Sequence, residues 1–235
     1  MKKLISTSVL TLLLLATAAG QTRPAQEEPP APPAPLEAGQ VDPGRLVGEK
    51  YSNEFFGLSF SVPRGWFIQD SAARRATLEM GKDTLTANAD QRKKAQMDAV
   101  VARTNVLVSA LKHSPYSVTA GFNAHFACIA ERVPTAVVRT GADYINMSLA
   151  VALGSPIKME LMGRMRSERV GGRLFTAADV KATLPQGVVI QKYYVLLNKG
   201  HALTFIYSYS DETDLPALKG ILASVAFKPA ARPRP

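Results

Sequence analysis

Two residue types that enzymes draw on most are scarce in this chain. It has one cysteine and three histidines in 235 residues, and its 19 acidic side chains are outnumbered by 28 lysines and arginines. A single cysteine excludes an intramolecular disulfide, so a core must hold the fold. Cys128 falls on an alternating strand pattern, which reads as a buried thiol with no neighbour to activate it. His113, His125 and His201 show no H-x-x-x-H spacing and no accompanying cysteine or carboxylate cluster, so no metal site is expected. The sequence has no G-x-S-x-G elbow, no P-loop and no G-x-G-x-x-G after a strand, so no catalytic residue is assigned and no cofactor is expected. Paired carboxylates need only spatial proximity, and that chemistry stays open. Beyond the N-terminus no apolar run reaches membrane-spanning length, so no transmembrane segment is expected in the mature chain.

What is present begins with an export signal over residues 1–20. Lys2 and Lys3 precede an apolar run from Leu4 to Leu15, and Ala16-Thr17-Ala18 and Ala18-Ala19-Gly20 both offer small-residue cleavage sites. The expected location is periplasmic or secreted. Residues 21–48 carry Pro24, Pro29, Pro30, Pro32, Pro33, Pro35 and Pro43, a composition that favours extended polyproline and reads as a disordered linker. Residues 230–235 read as a disordered basic tail. Between them, 49–229 has the length for one sizeable core.

Within that domain, 51–56 and 58–62 read as strands around Gly57. Asp70 or Ser71 is placed to cap a helical region over 72–103, in two pieces with a break between Gly81 and Asp90. Strands are expected over 105–111 and 122–131, with Phe122, Ala124, Phe126, Cys128 and Ala130 on one face. A helix opening at Pro134 or Thr135 has Val138, Ala142, Ile145, Leu149 and Ala152 as its apolar stripe. Strands at 158–170, 173–182, 188–197 and 201–210 then follow through short turns, including Gly171-Gly172, which argues for antiparallel pairing. Leu215, Leu218, Leu222 and Val225 mark a last helix. The strands at 188–197 and 203–209 are apolar on both faces, so the sheet must be covered twice. The expected class is α+β, an antiparallel sheet sandwiched between helices in α/β/α layers.

At the domain's start, Asn53 through Trp66 resembles the opening N-x-x-x-G-[FL]-x-[FL]-x-x-P-x-G-W of the PsbP-like superfamily. Gly200–Ser210 is similar to that family's penultimate strand, and Leu218–Phe227 to its closing helix and strand. The group includes extrinsic photosystem proteins and bacterial envelope proteins. The resemblance implies an antiparallel sheet between helices over about 49–229 and a non-enzymatic role in binding or assembly. Within the motif, Gly57 and Gly65 serve tight turns, Pro63 ends a strand, and Trp66 anchors the turn to the core.

The net charge of +9 favours anionic partners over specific nucleic acid, since no aromatic residues interleave with the basic groups. Lys158, Arg164, Arg166, Arg169 and Arg173 decorate the hairpin about Gly171-Gly172 and form the candidate binding surface, with Arg164 and Arg166 expected on one face of a strand. Tyr193, Tyr194, Tyr207 and Tyr209 read as sheet-face packing, or as an aromatic groove. Three functions follow: an exported binding or assembly-accessory module for an unidentified protein or anionic envelope component, an envelope hydrolase, or a purely structural envelope protein. A Ser–His contact, or a cleft lined by two carboxylates, would favour the hydrolase.

Overall fold

The computed structural model describes residues 41–117, 122–185 and 187–228; the signal at 1–20, most of the linker and the tail lie outside the described residues. In chain order the strands are β1 (Arg45–Val47), β2 (Lys50–Asn53), β3 (Leu58–Ser61) and β4 (Phe67–Ile68). Helices α1 (Ser71–Leu85) and α2 (Gln91–Ala102) lead to β5 (Thr104–Leu111) and β6 (His125–Arg132). Then come α3 (Gly141–Ala152), β7 (Lys158–Leu161), β8 (Arg166–Val170), β9 (Arg173–Leu184), β10 (Gly187–Asn198) and β11 (His201–Tyr209). A 3-10 turn at Glu212–Asp214, α4 (Leu215–Ala223) and β12 (Ala226–Phe227) close the fold.

The large sheet runs β4-β5-β6-β11-β10-β9-β7, with β8 paired to the other half of β9. Every pair is antiparallel. The central strand β11 is buried at all nine positions, and its alternation feeds two cores. Ala202 and Ile206 point with Ala127, Ile129, Tyr193 and Val195 toward α1, α2 and α3. Leu203, Phe205 and Tyr207 point with Phe126 and Cys128 the other way. The α+β layering read from the sequence is therefore present, with one addition. The second face is covered by α4 together with a small sheet, β1-β2-β3-β12, whose Tyr51, Leu58 and Phe60 complete that core.

Several local expectations change. Arg45–Val47, inside the segment read as linker, pairs with β2, and Pro43 accepts a hydrogen bond from the Tyr51 hydroxyl at 3.0 Å. The ordered fold thus begins before residue 49. Phe122 packs with the helix-side core, opposite Ala124. Helix α3 starts at Gly141, because Thr140 and Asp143 form a capping box there and satisfy its first amides. The stretch 158–170 is two strands. Leu161 pairs with Val180 and Arg166 with Ala177, so residues 162–165 oppose only 178 and 179. These extra residues bulge, and Arg164 lies in the bulge rather than on a strand shared with Arg166.

The β8–β9 hairpin shows what fixes a turn. Gly171 and Gly172 both have positive φ, at +56° and +80°. A Cβ on Gly172 would meet open space, whereas one on Gly171 would lie 2.8 Å from the Val225 carbonyl and 3.0 Å from the Phe227 ring. Gly172→Ala is expected to cost about 1–2 kcal/mol for the left-handed backbone alone. Gly171→Ala should cost about 1 kcal/mol more, because the hairpin must also lift off β12. Equal urea midpoints for the two variants would contradict the packing.

Candidate functional site

The five cations of the hairpin region do not form one free patch. Lys158 pairs with Glu160 at 3.0 Å. Arg166 pairs with Glu168 and reaches Asp179, whose other contact is Lys192 at 2.9 Å. Arg173 lies over the Phe227 ring, 4.3 Å from its centroid. Arg169 is exposed and donates to the Gly172 carbonyl at 3.2 Å, and Arg164 is exposed in the bulge. Unpaired positive charge is therefore concentrated in Arg164 and Arg169.

Asp179 and Lys192 were missing from the sequence reading, since only the β9–β10 register makes them direct partners. The partial burial of Asp179 pushes its carboxyl upward, but the bonds from Lys192 and Arg166 outweigh that and hold it below the ordinary carboxylate range. The bulge aims Arg166 across Ala177 toward this carboxylate, so these groups act as an ion network that ties the edge strand down.

The motif residues are structural. Gly57 has φ +62° and its carbonyl accepts from the Lys228 amide at 2.7 Å, joining β3's entry to the end of β12. Gly65 has φ +83°, and the Trp66 amide closes the turn on Pro63 at 3.2 Å. Trp66 is half-buried against the second core. Tyr194, Tyr207 and Tyr209 are buried on that same core face, while Tyr193 faces the helices and donates to Gln191 at 2.6 Å. The tyrosines thus pack; they do not line a groove.

A Ser–His contact does exist: Ser109 Oγ lies 2.8 Å from His125 Nε2. Its chemistry is that of a core. Ser109 donates its proton to Gln69 Oε1, and Gln69 Nε2 in turn donates to Thr77. Ser109 Oγ must therefore accept from the His125 Nε2–H, which leaves Nδ1 as a buried lone pair without a partner. A nucleophile needs the reverse, with its proton directed to the base and a carboxylate behind the ring. Ser109 is 0% exposed and His125 3%, so no substrate reaches them. Burial also pushes the His125 ring down to about 4 and the Cys128 thiol up.

Two of the three carboxylates that line the cleft are similarly committed. An open cleft of about 760 Å³ is lined by Lys112, Asp211, Glu212 and Asp214 among others. Asp211 caps the 3-10 turn through the Thr213 amide at 2.8 Å, and Asp214 is paired with Lys112 at 2.6 Å. Among the described residues no group of three or more His, Cys, Asp or Glu is placed to hold a metal ion. No helix of the described residues is long and apolar enough to cross a membrane.

No family model matches this chain, and no curated protein matches it. Among solved structures it is similar to cyanobacterial PsbP (CyanoP) from Synechocystis sp. PCC 6803, at 13% identity and TM-score 0.45, covering 84% of this chain and 98% of that one. It is also similar to LpqN, involved in cell envelope biogenesis of Mycobacterium tuberculosis, at 13% identity and TM-score 0.39, covering 80% and 87%. A third similar structure is PA94 of Pseudomonas aeruginosa, a protein of unknown function, at 15% identity and TM-score 0.36, covering 51% and 79%.

Proposed function

We propose that this chain is an exported, PsbP-like binding or assembly-accessory module that acts through its surface and not through covalent chemistry. The observation that carries the reading is where its reactive groups lie. Ser109, His125, Cys128 and Glu131 are sealed inside the sheet's two sides, whereas exposed arginines such as Arg164 and Arg169 have no acidic partner among the described residues. The N-terminal signal supports export, and the Pro-rich stretch supports a spacer between domain and attachment site. The partner is anionic, since guanidinium groups without local counter-charge gain most from carboxylates or phosphates. The test is capture from envelope extract by the tagged full chain across a salt series. The expected result is a reproducible partner that is lost as salt rises. Retention that ignores salt would remove this reading.

A further inference from the structure

The strand register gathers a second basic surface that no stretch of sequence displays. One end of the large sheet is where β6 finishes at Arg132, β11 begins at His201, β10 finishes at Asn198 and β9 begins at Arg173. Arg132 pairs directly with His201, and the β10–β11 turn presents Lys199 beside them. The segment leaving β6 stays on this end: the Val133 amide donates to the Gly200 carbonyl at 3.1 Å. It reaches Gly141, where a Cβ would lie 2.6 Å from Thr176 Oγ1 and 3.0 Å from the Val195 carbonyl, so Arg139 is held at the same rim. The β8–β9 hairpin adds Arg169.

Arg132, Arg139, Arg169 and Lys199 are all exposed, and none has an ion-pair partner among the described residues. The nearby acids are already engaged. Glu131 is buried against Arg103 and Tyr144, Asp143 caps α3, and Glu54 pairs with Lys228. Lys199 is also the one non-glycine described residue with positive φ, at 51°, and its ammonium donates to the Phe55 carbonyl and lies 5.0 Å from the Phe55 ring centroid, a neutral anchor that leaves its charge without an acidic partner. Two large apolar side chains stand exposed in the same rim: Leu174 at 56%, two residues before Thr176 on β9, and Val137 at 48%, two residues before Arg139.

From this we infer that the end of the sheet is a docking face for an anionic lipid bilayer. Cations without counter-charge fit phosphate headgroups, and Leu174 and Val137 among them fit the apolar boundary beneath. A soluble acidic polymer would use the cations and leave the apolar pair in water, which favours the bilayer. The inference rests on the surface-binding reading above and names the partner class.

The test is sedimentation of the full chain with phosphatidylglycerol vesicles and with phosphatidylcholine vesicles, across a salt series. The N-terminal apolar segment is common to every variant and cancels in the comparison. Wild type should prefer phosphatidylglycerol and be released by salt. Each cation near an anionic surface is worth roughly fivefold, so Arg132→Glu with Lys199→Glu should weaken partition at least ~25-fold. Leu174→Ser should weaken it without altering the salt dependence. Arg64→Glu, in the exposed turn before β4 at the other edge of the sheet, should change it little; a loss equal to that of the double variant would overturn the placement. No preference for phosphatidylglycerol, or no effect of Leu174→Ser, would overturn the bilayer as partner. Salt-sensitive retention on a poly-glutamate matrix in that event would still leave the anionic-binding reading standing.

Discussion

Glu131→Ala should destabilise the fold by about 3–5 kcal/mol, the scale expected when one member of a buried, hydrogen-bonded ion pair is removed. Glu131 is 0% exposed at the end of β6. Its Oε1 accepts from Arg103 Nε at 3.1 Å and its Oε2 from the Tyr144 hydroxyl at 2.8 Å. Arg103 is the C-cap of α2 and Tyr144 belongs to α3, so one carboxylate ties two covering helices to the sheet. Truncation leaves a buried phenol and a partly buried guanidinium without that acceptor. Tyr144→Phe alone should cost about 1 kcal/mol, and its effect should shrink in the Glu131→Ala background, because the two share one bond. Guanidinium unfolding midpoints measure this. A Glu131→Ala loss under 1 kcal/mol, or full additivity with Tyr144→Phe, would show that the carboxylate does not hold the helices.

The second large effect is acid sensitivity set by His125. Its ring is buried against Ser109, which is itself bonded to Gln69, with Ser208 its cross-strand neighbour on β11, and burial lowers it from 6.5 to about 4. The folded state therefore holds the neutral ring while the unfolded chain binds the proton first. Stability is complete above about pH 6.5 and falls as pH drops toward 4. The loss should reach about 3 kcal/mol by pH 4, at 1.36 kcal/mol per tenfold change in proton affinity. His201, also lowered by burial, adds in the same direction. His125→Gln keeps a neutral hydrogen-bonding side chain and should flatten most of this slope, whatever it costs at pH 7. Urea midpoints at pH 7.5 and 4.5 for both proteins decide it: parallel slopes would mean that His125 is not the acid-sensitive group.

How far the sequence carried this account depends on whether the signal was local. Val188–Leu197 and Leu203–Tyr209 are apolar on both faces, and that alone required a sheet covered twice; β10 and β11 lie in its interior as a result. Gly171-Gly172 and Asp70 were legible because turns and caps are decided within a few residues. β1 was not, since Arg45-Leu46-Val47 is short, exposed and follows a proline-rich stretch, and only pairing with β2 makes it a strand. The bulge at 162–165 was hidden for a similar reason: it exists in the register against β9, not in the residues themselves.

The site divides along the same line. The basic hairpin was visible as composition, but the acids that neutralise part of it were not. Asp179 lies 13 residues from both Arg166 and Lys192, and strand pairing brings all three together. Ser109 and His125 stand 16 residues apart on neighbouring strands, and their contact carries meaning only once burial and the Gln69 acceptor are known. Arg132 ends β6, Arg139 lies in the segment before α3 and Lys199 in the β10–β11 turn, and no periodicity joins them.

The central claim, that the chain works through cations without counter-charge, is tested most directly by the salt dependence of its capture of envelope partners, with wild type beside Arg132→Glu, Arg169→Glu and Lys199→Glu combined. The account predicts that log retention falls steadily with log salt for wild type, and that the triple variant binds weakly with a shallower slope while unfolding normally. Retention of the triple variant equal to wild type at every salt concentration would contradict it.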